Sequence, residues 1–316
     1  MSAGRLYATE AIVLRSQVLG EGDRLVTLLS PTEGKIRAAA RGARRGRSSL
    51  AALTQPFVHG RYSFYRGRDL DSVRQGEIIE AHLGLQKDLA AMAVATFLAE
   101  LLDYTSAARQ PADALFDLMV VALRELERPG AEPRDHQKLL LAMELQLCEA
   151  LGFRPRLDVC MRCGRAGSGG GGPAESSSLW LLSPAEGGLL CRQCAAGSGG
   201  VWLGAPERQA LRHLLEAPLS RARLLELSPG SLAALILAVR MYTDFYVNHK
   251  LRSLPFLVST LGLPEPLLAR EGTGRERAGG VDGTRARNGP DGDEQDEQRR
   301  SPGAGLPERL GNVDRS

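Results

Sequence analysis

Four cysteines lie in two pairs of identical spacing near the middle of this 316-residue chain. The pairs are Cys160 with Cys163 and Cys191 with Cys194, each a C-x2-C motif, and 27 residues separate them. A C-x2-C turn directs both sulfurs at one ion, so two such turns predict one tetrahedral site of four thiolates. Zinc is the ion that this ligand set favours. Because protein fills all four positions, we expect one structural Zn2+ with no open position for an activated water.

Two other interpretations of the cysteines stay open on the sequence alone. One C-x2-C pair could be the dithiol of a thiol oxidoreductase, and a single motif of this kind also arises by chance. The fifth cysteine, Cys148, lies in a helical pattern beside Leu147 and Leu151 and is expected in the core. The sequence has neither a membrane-length apolar run nor a signal-type N-terminus, which predicts a cytoplasmic protein with reduced thiols and no membrane partner.

The segment ahead of the cysteines has the pattern of a small β-barrel. Short apolar runs alternate with Gly, Asp and Pro turn signals over residues 1–81, without a helical period. Five such runs predict a small closed barrel. The candidate strands are 11–14, 25–29, 35–41, 55–65 and 70–79.

Positive charge is concentrated in the same segment. Residues 1–80 hold 13 Lys/Arg and 8 Asp/Glu, a net charge of +5, whereas the whole chain has +3. Between Gly34 and Arg68 there are nine cations and no acid. In the third strand, cations alternate with Ile36, Ala38 and Ala40, so the small apolar residues point inward and the cations outward. This pattern predicts binding to a nucleic-acid backbone, with a merely solvated edge as the alternative. The predicted phosphate-binding residues are Lys35, Arg37, Arg41, Arg44, Arg45, Arg47 and Arg61.

Aromatic residues lie among the later cations. Tyr62 and Phe64 share one strand face and are expected in the barrel core. Tyr65 shares the opposite face with Arg61, where it could stack on a base.

The rest of the chain has a mainly helical period. Three helices are predicted over residues 82–157, with breaks at 110–111, 129–130 and 152, and His136 is expected at the surface. A strand at 179–182 that turns at Gly187 toward the second cysteine pair predicts a zinc-ribbon-like hairpin, beyond which helices resume. The Gly/Ser-rich stretch 164–178 is expected to be a mobile loop, and the Gly-, Arg- and Asp-rich residues 263–316 a disordered tail. The fold class is α+β, with domains at 1–81 (barrel) and 82–262 (helical, with the embedded zinc module at 158–196).

Several stretches, in this order, resemble the bacterial RecO family of recombination mediator and DNA repair proteins. The resemblance covers about residues 8–262. It rests on AIVL at 11–14, GEGDR at 20–24, GK at 34–35, RGARR at 41–45, SSL at 48–50, QPF at 55–57, LGFRP at 151–155, CMRCG at 160–164, SPAEGG at 183–188 and LRS at 251–253.

The resemblance implies an N-terminal OB-fold that binds single- and double-stranded DNA through the basic residues named above. It further implies annealing of complementary strands and transfer of strands coated by single-stranded-DNA-binding protein to the recombinase RecA, with RecR as partner. Some members lack the full cysteine set, which suggests that the metal is not the shared function. The Gly/Ser insertion after Cys163 and the long tail depart from the family pattern, and no role is assigned to them.

Two rival functions remain beside this non-enzymatic mediator. A zinc-ribbon protein that binds RNA or acts in transcription would carry the same charge pattern, because RNA and DNA present the same phosphate groups to a protein. A thiol oxidoreductase would use one cysteine pair reversibly. We find neither a nucleophile–base pairing nor a phosphate-cradling Gly-rich motif ending in Lys-Ser/Thr in the sequence.

Overall fold

The N-terminal part is a closed five-stranded barrel. The computed structural model of the chain describes residues 6–46, 48–166, 179–264 and 267. The strands are β1 (Leu6–Leu19), β2 (Asp23–Ser30), β3 (Gly34–Ala40), β4 (His59–Tyr65) and β5 (Asp71–Glu80), with a short helix α1 (Leu50–Leu53) between β3 and β4. They close in the order β1–β2–β3–β5–β4, and β4 pairs back onto β1. The predicted barrel is therefore confirmed, and it is OB-like in having five strands.

The interior of the barrel is filled as the alternation in β3 predicts. Ile36, Ala38 and Ala40 are buried and share a core cluster with Tyr62 and Phe64 of β4. The Tyr62 hydroxyl donates to the Leu53 carbonyl at 2.9 Å, so the buried phenol keeps a partner. Both aromatic side chains therefore fill the core.

The outer side of β1 and β2 is buried as well, against the helices. Ala11 and Val13 point into the barrel, whereas Ile12, Leu14 and Leu29 belong to the core of the helical part. A strand covered on both sides reads as a continuous apolar run, which explains the unbroken sequence at 11–14. The barrel interior is therefore one core cluster, and the outer sides of β1 and β2 join a second cluster with the described helices, within one compact unit.

Six further α-helices and a small sheet follow in the part of the chain that the structure describes. The helices are α2 (Leu89–Thr105), α3 (Asp113–Leu126), α4 (Pro133–Ala150), α5 (Ala205–Glu216), α6 (Pro229–Val247) and α7 (Leu254–Leu261). The sheet has the order β7–β6–β8 and consists of β6 (Trp180–Ser183), β7 (Gly188–Leu190) and β8 (Val201–Leu203). The three predicted helices and the predicted hairpin are present. Strand β8 was not predicted, because a three-residue strand after a Gly-rich turn has too little pattern to recognise.

The start of β3 lies directly against the connection between α2 and α3. The Lys35 amide donates to the Ala107 carbonyl at 2.9 Å, and the Ala112 amide donates to the Pro31 carbonyl at 2.7 Å. Gly34 has a φ of +61°, and a Cβ on it would overlap the carbonyl oxygens of Gln110 and Ala107. Only glycine satisfies both the dihedral angle and this close approach.

We expect Gly34→Ala to destabilise the protein by about 3 kcal/mol or more, since left-handed strain of about 1 kcal/mol adds to a backbone clash. Gly20→Ala is the matched control, because Gly20 has a φ of +62° and nothing within 4 Å of its Cβ position. Urea denaturation of both variants would measure the difference. Equal losses of unfolding free energy in the two variants would show that the backbone contact at Gly34 adds nothing to the cost of the substitution.

His136 is buried, so its predicted surface position is wrong. It lies in the first turns of α4 with 2 % exposure, and its Nε2 is 3.1 Å from a carboxylate oxygen of Asp88. Asp88 also accepts hydrogen bonds from the amides of Ala90 and Ala91, which caps α2. The partner lies 48 residues away in sequence, so no local pattern around His136 could reveal it.

Helix α6 is the one helix in the described residues that is long and apolar enough to cross a bilayer by these two criteria alone. Nine of its residues are buried within the protein, including Arg240, which identifies it as a core helix. The Gly/Ser residues 167–178, Arg47 and residues 268–316 lie outside the described residues. The loop, the tail and the domain limits at 81 and 262 therefore stay predictions.

Candidate metal centre and nucleic-acid interface

The four predicted cysteines meet at one point. Their sulfurs all lie within 4.8 Å of one another, and the Sγ atoms of Cys163 and Cys191 are 3.8 Å apart. Metal–sulfur bonds of about 2.3 Å in a tetrahedron give sulfur–sulfur distances of about 3.8 Å. All four are free thiols. Among the described residues, this is the one group of three or more His, Cys, Asp or Glu side chains close enough to hold a metal ion. The donor set is therefore compatible with a metal site.

The hairpin of β6 and β7 positions the second cysteine pair against the first. The Met161 amide donates to the Leu189 carbonyl at 2.9 Å, which joins the first knuckle to β7. Cys191 follows β7 directly, and its amide donates to the Cys160 sulfur at 3.4 Å. Cys160 and Cys191 are buried in the core that the helices share. The first cysteine of each pair thus joins the site to this core, whereas Cys163 is exposed and Cys194 is half-buried.

Arg162, inside the first knuckle, holds the two knuckles together. Its guanidinium donates to the Glu186 carboxylate at 2.6 Å, the Cys194 carbonyl at 2.8 Å and the Ser198 hydroxyl at 3.0 Å. Sequence reasoning missed this residue. The signal was a cation between two ligands and an acid in the turn before the second pair, and only the fold brings them together.

Two of the four thiols differ in acidity, with pKa values shifted in opposite directions. Burial raises the pKa of Cys160, but amide donors from Cys191, Cys163 and Arg162 outweigh it and lower the value to about 6. Hydrogen bonding to the neighbouring thiols, first of all Cys191, raises the pKa of Cys194 to about 12. One thiolate thus forms readily at neutral pH, and a bound cation would favour loss of the remaining protons.

The fifth cysteine takes no part in this site. Cys148 of α4 is buried, and its sulfur is 3.7 Å from the Thr243 hydroxyl. Burial raises the pKa of its thiol to about 11, so it stays protonated. The prediction that it is a core residue is confirmed.

The exposed cations of the predicted interface lie on β3 and in the loop that follows it. Arg37, Arg41 and Arg45 are exposed. Within the part of the chain that the structure describes, none of these three side chains has a hydrogen-bonded or ion-pair partner. Three uncompensated guanidinium groups within nine residues can neutralise phosphates.

Arg44 shapes the basic loop from within. Its amide donates to the Gly22 carbonyl at 3.0 Å, and its guanidinium donates to the carbonyls of Gly20 and Glu21 at 3.2 and 3.0 Å. These bonds hold the loop against the turn between β1 and β2. Arg44 therefore supports the loop with part of its donor capacity and presents the rest to solvent.

Lys35 is committed to the contact between barrel and helices. Its ammonium donates to the backbone carbonyl of Asp103 in α2 and lies 3.5 Å from the Asp103 carboxylate. The same carboxylate is 3.2 Å from the guanidinium of Arg15 in β1. The acid that compensates Lys35 is 68 residues away in sequence, which is why the cation appeared free.

Arg61 lies on a different strand from the other cations and between two acids. Its cross-strand neighbours are Glu10 on β1 and Glu77 on β5. Side chains paired in this way interact, so the negative charge around Arg61 opposes the binding of a phosphate there.

Tyr65, at the end of the same strand, is 44 % exposed. Arg47, the remaining predicted residue, lies outside the described residues.

The comparison with known proteins agrees with this architecture. Residues 1–82 match the model of the recombination protein O N-terminal domain, and residues 86–255 match that of the C-terminal domain. Among curated proteins, the chain is 38 % identical over 254 residues to the DNA repair protein RecO of Symbiobacterium thermophilum, covering 80 % of this chain and 96 % of the relative. It is 34 % identical over 254 residues to the DNA repair protein RecO of Pelotomaculum thermopropionicum, covering 80 % and 94 %. The RecO protein of Shouchella clausii is 30 % identical over 253 residues, with the same shares covered. The chain therefore belongs to the RecO family of DNA repair proteins.

Proposed function

We propose that this DNA repair protein is a non-enzymatic recombination mediator. It binds single- and double-stranded DNA through the barrel, anneals complementary strands, and assists loading of the RecA recombinase on strands coated by single-stranded-DNA-binding protein. RecR is its direct partner, and it acts in the cytoplasm at the nucleoid. The observation that supports DNA binding most directly is the uncompensated set Arg37, Arg41 and Arg45 on β3 and in the loop that follows it.

The proposed binding mode is phosphate neutralisation. Guanidinium groups that replace condensed counterions give affinity without reading base sequence. Arg44 orients the basic loop, and the part of its guanidinium that faces solvent can contact a phosphate as well. Lys35 supports the site by holding β3 against α2 through Asp103. Arg61 contributes least to phosphate binding because its cross-strand neighbours are acidic. Arg47 continues the basic loop and is assigned to phosphate contact from the sequence alone.

We assign one structural Zn2+ to Cys160, Cys163, Cys191 and Cys194. Thiolate ligands favour zinc, and a bound ion would cross-link the two knuckles that Arg162 also joins. Four protein ligands leave no position for a reacting water, so the ion would stabilise the fold rather than perform chemistry.

We expect Arg41→Ala with Arg45→Ala to weaken binding of a 20-mer duplex about tenfold or more at low salt, because two phosphate contacts are lost. The dependence of log K on log salt should also become shallower by roughly 1.8, at about 0.9 per contact. Fluorescence anisotropy across a salt series measures both quantities. Arg134→Ala with Arg221→Ala is the matched control, since it removes the same charge from exposed positions of the helical part. Equal losses in the two double variants would contradict a site on the barrel and indicate a general charge effect.

Competition between single-stranded DNA and RNA of one sequence separates this proposal from an RNA-binding or transcription-associated zinc-ribbon protein. A preference for RNA would favour the alternative.

Strand annealing with single-stranded-DNA-binding protein, with and without RecR, tests the mediator function itself. Annealing that neither requires the basic loop nor responds to RecR would contradict the proposal.

A further inference from the structure

Two groups of stacked aromatic rings lie on the helical part, near the end of α6. Tyr104 of α2 is 45 % exposed and stacks on His249, with ring centroids 3.7 Å apart and planes 13° from parallel. Phe245 of α6 is 54 % exposed and meets Tyr246 edge-on at 5.2 Å. Tyr246 stacks in turn on Phe153, which is 40 % exposed, at 4.5 Å. We call these five residues the aromatic row.

The rings are held in place by the fold rather than by one another alone. The Tyr246 hydroxyl donates to the Pro184 carbonyl at 2.9 Å, which fixes one end of the row against the turn between β6 and β7. At the other end, Glu100 lies one helical turn before Tyr104 and accepts from the amides of Arg252 and Ser253 at 2.9 and 2.8 Å. Flat faces are therefore presented to solvent with little conformational freedom to lose on binding.

The charge around the row favours an anionic ligand. Residues 245–252 hold no acid, and the exposed Arg252 lies among them. The nearby carboxylates have internal partners: Glu100 accepts three hydrogen bonds, and Asp244 accepts from Arg240 at 3.0 Å. Asp103, next to Tyr104, is paired with Arg15 and Lys35 of the barrel.

The row begins beside the proposed DNA interface. Asp103, which binds Lys35 at the start of β3, directly precedes Tyr104 in α2. From Lys35 to Arg41 the third strand spans roughly 20 Å at about 3.3 Å per residue. A strand of nucleic acid that follows β3 from Arg41 back to Lys35 therefore reaches the contact with α2, in which Tyr104 is the residue after Asp103.

We infer that the aromatic row is a stacking surface for unpaired bases, and that it extends the proposed DNA site from the barrel onto the helical part. Aromatic faces beside cations bind single strands irrespective of sequence, because every base has a π-face. Bases in a duplex are already stacked, so the row selects single strands. This inference rests on the proposed function, since it assumes that the barrel binds the backbone of the same strand.

The test is anisotropy of a labelled 20-mer of deoxythymidine with full-length Tyr104→Ala plus Phe245→Ala. We expect a loss of affinity of about tenfold, with an unchanged salt dependence because no phosphate contact is removed, and unchanged affinity for a 20-mer duplex. Trp202→Ala is the matched control, because Trp202 is an aromatic residue with 44 % exposure, close to that of Tyr104, but lies on β8 outside both proposed sites. Tyr104→Phe with Phe245→Tyr keeps the rings and is expected to restore binding.

The outcomes separate this inference from the proposed function. Wild-type protein that binds no DNA would overturn both. Loss in the Arg41/Arg45 variant with full single-strand affinity in the Tyr104/Phe245 variant would overturn only the aromatic row, and would leave a protein partner as its occupant. Equal loss for single strands and duplex in the latter variant would contradict base stacking as well. Circular dichroism melting identifies any variant that fails to fold, and the Phe/Tyr exchange then decides the question.

Discussion

Cys191→Ala is expected to release the metal ion and lower the free energy of unfolding by on the order of 4 kcal/mol. A ligand that binds only the folded state contributes about that much when its free concentration is 1,000 times its dissociation constant. The ion would hold two knuckles whose first cysteines, Cys160 and Cys191, are buried in the helical core, so its loss should loosen β6, β7 and the surrounding helices. Metal analysis should fall from one zinc per chain to none, and thermal unfolding should lose its sensitivity to chelators.

Cys148→Ala provides the matched control for this experiment. Cys148 is 2 % exposed and Cys191 is 3 % exposed, so both changes remove one buried sulfur. The control variant should keep one zinc, keep its chelator sensitivity and lose only packing energy, on the order of 1 kcal/mol. A reversible disulfide between Cys160 and Cys163, with no bound metal in the wild type, would contradict the structural site and favour the oxidoreductase alternative.

Arg240→Leu is expected to cost about 3–5 kcal/mol, because it leaves the carboxylate of Glu144 buried without a counter-charge. Arg240 of α6 and Glu144 of α4 form an ion pair in which both side chains are at most 3 % exposed. Arg240 also donates to Asp244 at 3.0 Å and lies 5.1 Å from the ring centroid of Phe97. Adding Glu144→Leu should recover most of the loss, since two apolar side chains can replace a buried pair.

The penalty should depend on pH in a defined direction. Burial raises the pKa of Glu144 to about 7, against the opposing effect of Arg240, so without Arg240 the carboxyl should hold its proton more firmly still. A folded-state pKa above the unfolded value means that stability falls as pH rises from about 5 through 8. Urea denaturation of the Arg240 variant at pH 5.5 and pH 8 measures this slope.

Arg124→Leu is the matched control for the buried pair. Arg124 makes a two-pronged contact with Glu80, but its side chain is 52 % exposed, so we expect a loss below about 1 kcal/mol. Similar losses at the two sites would show that burial does not set the cost. A double variant no more stable than Arg240→Leu alone would contradict the assignment of the penalty to Glu144.

Features with a short-range signature could be predicted from the sequence. The C-x2-C spacing located the four cysteines that lie together, and the alternation in β3 correctly placed Ile36, Ala38 and Ala40 inside the barrel. Both depend on residues a few positions apart, within one turn or one strand. The order of barrel, helices and cysteines was sufficient for the fold class.

Features that depend on distant partners could not be predicted. The compensation of Lys35 by Asp103 and the burial of His136 against Asp88 both require the packed helices. The acidic neighbours of Arg61 require the register of β4 against β1 and β5. The number of cations in a sequence is therefore an upper limit to the number that can contact a ligand. The fold decides which of them remain available.

The apolar outer side of β1 has a consequence for synthesis on the ribosome. The last strand of the barrel ends at Glu80, but the helix that covers Ile12 and Leu14 is complete only at Thr105. At about 5–20 residues per second, the nascent barrel would expose this side for roughly 1–5 s before α2 emerges. During every round of translation the N-terminal part therefore passes through an intermediate with an exposed apolar surface that is prone to aggregation. A chain truncated after the barrel would keep that surface exposed permanently.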